Sequence, residues 1–170
     1  MEIIAVYWEP EIKTYGFQVK SGLRLITVML PFDRVAEWGE VMEGGSETPQ
    51  HFIMVLAQPA DTKLLRLHLL LETSGGGQIM EVIRKTDVVA PGAVSEIDAP
   101  VELIYFQGPH FGDRYGIADA AFRALDTQSI QVLAAGCSGA SIYIVVPDKK
   151  AKTAIRCLSR SFKVPGTTTR

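Results

Sequence analysis

Three features of this sequence have the residue types for chemistry: a glycine-punctuated loop with a histidine and an aspartate, a cysteine beside a serine, and a glycine run after an apolar segment. The loop is Gly108-Pro109-His110-Phe111-Gly112-Asp113-Arg114-Tyr115-Gly116, and a helical pattern begins directly after it. A helix start presents unpaired backbone N–H groups and the positive end of its dipole, which together seat a carboxylate. Gly116 lets a ligand approach the backbone closely. Asp113 is placed to face an ammonium group, and His110 or Gln131 to line the side-chain pocket. The loop therefore suits a small zwitterion. A competing reading is that its glycines only make the turn that folds the helix back.

Other candidates carry less. Cys137 lies between Gly136 and Ser138, but a thiol nucleophile needs an adjacent base and an oxyanion donor set, and no histidine is near it in sequence. His51, His68 and His110 are too scattered for a metal site at local spacing. Ser74-Gly75-Gly76-Gly77 follows a strand pattern and opens a helix, the context for phosphate binding. The match then fails, because Met80 stands where a dinucleotide fingerprint needs glycine and no Lys-Ser or Lys-Thr comes after the last glycine. Glu37 and Glu40 read as an exposed helix face rather than a catalytic pair. The expectation is a protein that is not an enzyme, with no cofactor and no metal, and with a small enzyme using Cys137 as the minor alternative.

Composition narrows the partners. The chain has 170 residues, 47% of them hydrophobic, and its 17 basic and 19 acidic residues give a net charge of −2. That balance gives no overall electrostatic footprint for nucleic acid or anionic lipid. An acid at Glu2 and an apolar run ending by Glu9 do not make a secretory signal, so the expected location is cytoplasmic. Cys137 and Cys157 are expected as free thiols. No charge occurs from Thr127 to Pro147, long enough for a membrane span. Gly136-Cys137-Ser138-Gly139-Ala140-Ser141 interrupts it, however, so two strands joined by a turn, Ile130–Ala135 and Ile142–Val146, are expected instead.

The elements that must position these residues emerge from periodicity. Val101–Phe106 reads as a strand, Ile117, Ala118, Ala121, Phe122 and Leu125 as one helix stripe, and Ala151, Ala154, Ile155, Leu158 and Phe162 as another. Pro147-Asp148 supplies the last helix's start signal. Lys149, Lys152, Arg156 and Arg160 form that helix's solvent face. Upstream, the same order recurs: strand Leu23–Leu30, a helix with Val35, Trp38 and Met42, strands His51–Ala57 and Leu64–Leu71, and helix Gln78–Lys85. On Leu64–Leu71, His68 and Arg66 point to the face opposite Leu67 and Leu69. The chain thus holds two β-α-β-β-α units offset by roughly 75 to 80 residues. The first covers residues 10–88 and the second 100–165, with a linker at 89–99. Extra strand signals lie at Ile3–Trp8 and in the alternation of Tyr15, Phe17 and Val19.

This arrangement resembles the tandem ACT domains in the regulatory region of aspartate kinases. The resemblance rests on Gly116–Leu125 (Gly-Ile-Ala-X-X-X-Phe-Arg-Ala-Leu), on Cys137-Ser138 where that family favours Thr-Ser, and on Ala154-Ile155-Arg156-Cys157-Leu158 before Phe162. It implies an α/β fold of two ferredoxin-like βαββαβ units, with antiparallel sheets and helices on one face. A strand at residues 2–9 would complete the second unit. It also implies a regulatory module on its own, without the kinase catalytic domain. Such a module would be a homodimer that binds an amino-acid effector, with a metabolic enzyme as a further partner. Together with the reading of the loop, the expected ligand-binding set is His110, Asp113, Gly116, Ile117, Gln131, Cys137 and Ser138. In the first unit, Met29-Leu30-Pro31-Phe32-Asp33-Arg34-Val35 keeps the Pro and Asp of the family's Gly-X-Pro-Asp-X-X-Gly loop but lacks both glycines. In the second, Gln131 replaces the family's asparagine. The alternative is a structural or adaptor protein that keeps the fold without ligand.

Overall fold

The computed structural model describes residues 10–44, 52–73, 76–86, 94–96 and 100–165. The described chain divides into two compact units. The first is Gly22–Val101; the second joins the residues up to Ser21 with those from Glu102 onward. The strand expected at residues 2–9 lies outside the described residues.

The first unit runs β2 (Phe17–Pro31, from Gly22 onward), α1 (Val35–Gly44) after a short 3-10 turn, β3 (Phe52–Pro59), β4 (Leu64–Glu72), α2 (Gly76–Lys85) and β5 (Val94–Glu96). β4 lies between β3 and β2, and β5 pairs with β2, all antiparallel. Alternation along the strands decides the faces. Ile26, Val28 and Leu30 on β2 and Leu67, Leu69 and Leu71 on β4 are buried with Trp38, Ile79, Met80 and Ile83 from the helices. β5 falls inside the segment expected as linker. Three residues without a periodic pattern give no strand signal, and only pairing with Ile26–Val28 defines them.

His68 points away from that core. It shares a 3.0 Å hydrogen bond through Nδ1 with Thr27 Oγ1, its cross-strand neighbour, and its Nε2 lies 3.4 Å from Gln58 Nε2. An amide nitrogen only donates, so Nε2 accepts and Nδ1 carries the hydrogen, which is the neutral imidazole. Burial, and then the charge of Arg66, lower its pKa below the ordinary 6.5.

The second unit runs β6 (Val101–Gln107, from Glu102 onward), α3 (Ile117–Asp126), β7 (Ala134–Ser138), β8 (Ser141–Pro147), α4 (Ala151–Ser161) and β9 (Phe162–Lys163). Upstream residues complete it. β1 (Ile12–Lys13) pairs in parallel with β9, and the first residues of β2 lie beside β6 in the order β2–β6–β8–β7. Bonds from Tyr15 N–H to the Gln107 carbonyl, from Tyr105 to Gln18 and from Ser21 to Glu102 run in opposing number order, so the contact is antiparallel.

Four phenylalanines knit this unit. Phe106 on β6 meets Phe17 at 5.0 Å, Phe162 at 4.9 Å and Phe111 at 6.0 Å between ring centroids, the last two edge-to-face. Two expectations shift here. The buried stripe of α3 is Ile117, Ala121, Ala124 and Leu125, while Phe122 is 46% exposed. The periodicity fits either set, and packing against the core of β6, β8 and α4 buries this one. β7 begins at Ala134 rather than at residue 130. The turn is only Gly139-Ala140, with Gly139 at φ +55°, which places Gly136, Cys137 and Ser138 in the strand opposite Tyr143, Ile142 and Ser141.

The start of α4 is also set from elsewhere. Its N-cap residue, Lys150, makes no side-chain cap. The Glu102 carboxylate reaches over from β6, accepting 2.7 Å from the Ala151 N–H through Oε2 and 3.0 Å from the Ser21 hydroxyl through Oε1. A carboxylate at a helix start satisfies an orphan donor and opposes the dipole. Glu102→Ala is expected to destabilise the protein by about 0.5–2 kcal/mol, read as a lower urea midpoint with unchanged slope. His68 gives a pH signature. Its folded pKa lies below the unfolded one, so its contribution is intact above the unfolded value and is lost as pH falls through the folded value. Urea midpoints should therefore drop as the pH falls below about 6.5, and His68→Gln should flatten that drop.

Candidate functional site

The Gly108–Gly116 loop has two halves with different duties. In the first, a Cβ on Gly108 would stand 2.2 Å from the Lys13 carbonyl oxygen and 2.4 Å from the Phe111 ring. Phe111 is buried in the aromatic cluster, so this glycine serves the chain's own packing and leaves no space for a ligand. The second half is open. No atom lies within 4 Å of a Cβ built on Gly112 or Gly116, and Gly116 sits at φ +81° as the N-cap of α3. Arg114 pins this stretch by donating 2.9 Å to the Glu11 carbonyl. His110, itself at φ +62°, takes the Asp113 N–H on its carbonyl at 3.1 Å and holds Nδ1 3.7 Å from Asp113 Oδ2.

The N-cap residue of α3, Gly116, has no side chain to cap it, and among the described residues the first turn keeps donors for an external acceptor. Beside that turn lies a cavity of about 230 Å³ lined by Ala118, Ala121 and Phe122 from α3 and by Ala135, Gly136, Cys137, Ile142 and Ile144 from the β7–β8 hairpin. The hairpin turn reaches the same end of the sheet. Ser141, opposite Ser138, donates 3.5 Å to the side chain of Gln107, the last residue before the loop.

His110, Asp113, Gly116, Cys137 and Ser138 therefore gather around one end of the second unit. Ile117 does not join them, because its side chain is buried in the core. Gln131 is also remote: it lies past the far end of a ten-residue helix, about 15 Å from the loop. Ala118, Ala121 and Ala135 were not singled out as site residues by the sequence. Small residues on facing elements leave a void, yet no single one of them carries a chemical signal.

The first unit has a counterpart. Pro31, Phe32, Asp33, Asp61, Lys63 and Leu64 line a cavity of about 550 Å³. Phe32 N–H donates 3.0 Å to the Lys63 carbonyl, closing the loop on the β3–β4 turn. Asp61 accepts from the N–H groups of Lys63 and Leu64 at 2.6 and 2.8 Å, which holds its pKa low and its carboxylate ionised. Both charge signs thus line this cavity although the loop lacks glycines. Among the described residues, no three His, Cys, Asp or Glu side chains stand where they would hold a metal ion. No helix among them is long and apolar enough to cross a membrane.

Solved structures share this architecture. The regulatory subunit of aspartate kinase from Thermus thermophilus, in its ligand-free form, superposes with TM-score 0.71 at 11% identity, over 87% of this chain and 97% of that one. The fold is that of an aspartate kinase regulatory region. The aspartate kinase from Synechocystis matches 95% of this chain with TM-score 0.75 and 16% identity, and that from Clostridium acetobutylicum 92% with 0.69 and 16%. These matches cover 29% and 37% of those longer chains. No family model and no curated protein matches the sequence. At such identities the likeness establishes the tandem ACT fold, and any ligand has to be argued from this chain's own residues.

The two halves of the loop predict opposite tolerance. Gly108→Ala should lower stability by roughly 1–3 kcal/mol through overpacking, whereas Gly112→Ala should change it by no more than about 0.5 kcal/mol. Equilibrium urea unfolding of both variants checks the contrast.

Proposed function

We propose that this chain is a regulatory ACT-fold module without catalytic activity of its own, that it binds a small amino acid, and that two copies pair. The supporting observation is the cavity between α3 and the β7–β8 hairpin, apolar within and open beside an uncapped helix start. A carboxylate at the α3 N–H groups, an ammonium toward Asp113 and an aliphatic side chain in the cavity would satisfy all three parts of the ligand. At about 230 Å³ the space lies below the 300–1,000 Å³ typical of pockets for larger organic ligands, which favours a short side chain. Cys137 at its rim then acts as a small apolar neighbour. Bound ligand would shift a conformational or assembly equilibrium by its differential affinity for the two states.

A second reading places the ligand in the first unit, favoured by Lys63 beside Asp33 and Asp61, which offers a zwitterion both counter-charges. One experiment separates them. In a thermal-shift screen against the twenty amino acids, a ligand at a hundred times its dissociation constant stabilises by about 2.7 kcal/mol. Ala118→Leu, which fills the α3 cavity from an exposed position, should abolish that response and leave the fold intact. Loss of response in Lys63→Ala, with Ala118→Leu still responsive, assigns the ligand to the first unit. A flat panel for the unaltered protein would falsify ligand binding and leave the adaptor role.

A further inference from the structure

The second unit has another cavity, at the C-terminal end of α3. It measures about 410 Å³ and is lined by Phe122, Arg123, Leu125 and Asp126 of that helix and by Ile130 and Val132 of the segment leading to β7. That volume falls within the roughly 300–1,000 Å³ of sites for small organic molecules. Leu125 is buried, Ile130 and Val132 are half-buried, and Phe122, 46% exposed, leaves much of its ring uncovered. The segment is held against the helix end. Ser129, at φ +48°, donates its N–H to the Asp126 carbonyl at 2.9 Å, and the Ile130 N–H reaches the Leu125 carbonyl at 3.2 Å.

Charge at the mouth of this cavity has one sign. Arg123, the base in the last turn of α3, is turned back along the helix, where its Nε donates 2.8 Å to both carboxylate oxygens of Asp119. Asp126 is exposed and has no basic partner among the described residues. From Thr127 to Pro147 the sequence has no charged residue, so neither the lining segment nor the β7–β8 hairpin supplies a counter-ion. The negative pole of the helix lies at the same place. An aromatic face adds a further preference for positive charge.

We infer that this cavity takes a small organic amine, a protonated ammonium on an apolar body with no carboxylate. The ammonium would lie toward Asp126, the end of α3 and the Phe122 ring, and the body would cover Leu125, Ile130 and Val132. An inorganic cation is poorly served, because one carboxylate among apolar side chains cannot replace its hydration shell. A carboxylate on the ligand is disfavoured too, since the one base lining the cavity is engaged by Asp119. The site therefore selects a different chemistry from the cavity beside the start of α3, with which it shares Phe122. It does not depend on the amino-acid reading.

An NMR titration of the full chain, following backbone amides, tests the inference with phenethylamine, phenylalanine and phenylpropionate, which share a ring and differ in charge. Phenethylamine should give saturable shifts at residues 122–132, the amino acid weaker ones and the acid none. Asp126→Lys should weaken amine binding roughly tenfold and Phe122→Leu roughly threefold. Both positions are exposed, so unchanged melting confirms that each variant is folded. Ala118→Leu, which alters only the cavity beside the helix start, should leave amine binding as it was. The inference is overturned by phenylpropionate binding as tightly as the amine, by Asp126→Lys titrating like the parent, or by no saturable shift at those residues up to millimolar amine. Loss of amine binding in Ala118→Leu overturns it as well, by moving the amine to the other cavity. A flat amino-acid panel removes the function proposed above and leaves this inference standing.

Discussion

The contact on which the second unit depends is the closure of chain ends that are far apart in sequence onto Phe106. Phe17 comes from before the first unit, Phe111 from the loop after β6 and Phe162 from the last strand, and all four rings belong to one cluster. Rings meeting edge-to-face contribute more than their buried area. The geometry leaves no room at Gly108, where the backbone passes between Phe111 and the Lys13 carbonyl. By drawing residues 108–111 inward, the cluster leaves Gly112–Gly116 on the surface and fixes where α3 starts. The open half of the loop is thus a by-product of the packed half.

The order of elements was legible in the sequence because strand and helix periods differ and glycine marks the breaks. β4, α2, β6 and α4 fall close to where their apolar patterns place them, and His68 and Arg66 face away from Leu67 and Leu69 as alternation requires. What escaped it was defined by partners. β5 has only three residues and exists through Ile26–Val28. β7 slid four residues along because a two-residue turn at Gly139 leaves Gly136 free to be strand. The cap of α4 is the local Asp148 by pattern and Glu102 by structure, since a side chain 49 residues away reached the first N–H.

The candidate site was readable to the same degree. Residues of one loop, His110, Asp113 and Gly116, stayed together because they are neighbours in sequence. Ile117 turned into the core and Gln131 lay at the opposite end of α3, since family correspondence says nothing about which way a side chain points in this chain. The cavity was invisible because a void between alanines is a property of two facing surfaces. In the first unit both family glycines are missing, yet the Lys63 carbonyl braces the loop from the neighbouring turn, which the Asp61 carboxylate holds from within.

The parallel pairing of Ile12–Lys13 with Phe162–Lys163 has a consequence for synthesis. The first unit is one unbroken stretch of chain and can acquire its fold while the ribosome is still translating the rest of the message. The second must hold its opening residues in reserve through about 150 further codons, until the closing strand emerges to meet them. For that interval the backbone groups of β1 and the ring of Phe17 have no finished mate. A nascent chain of this protein is therefore half built in a fixed order, and premature termination between Val101 and Phe162 yields one complete unit joined to an incomplete one.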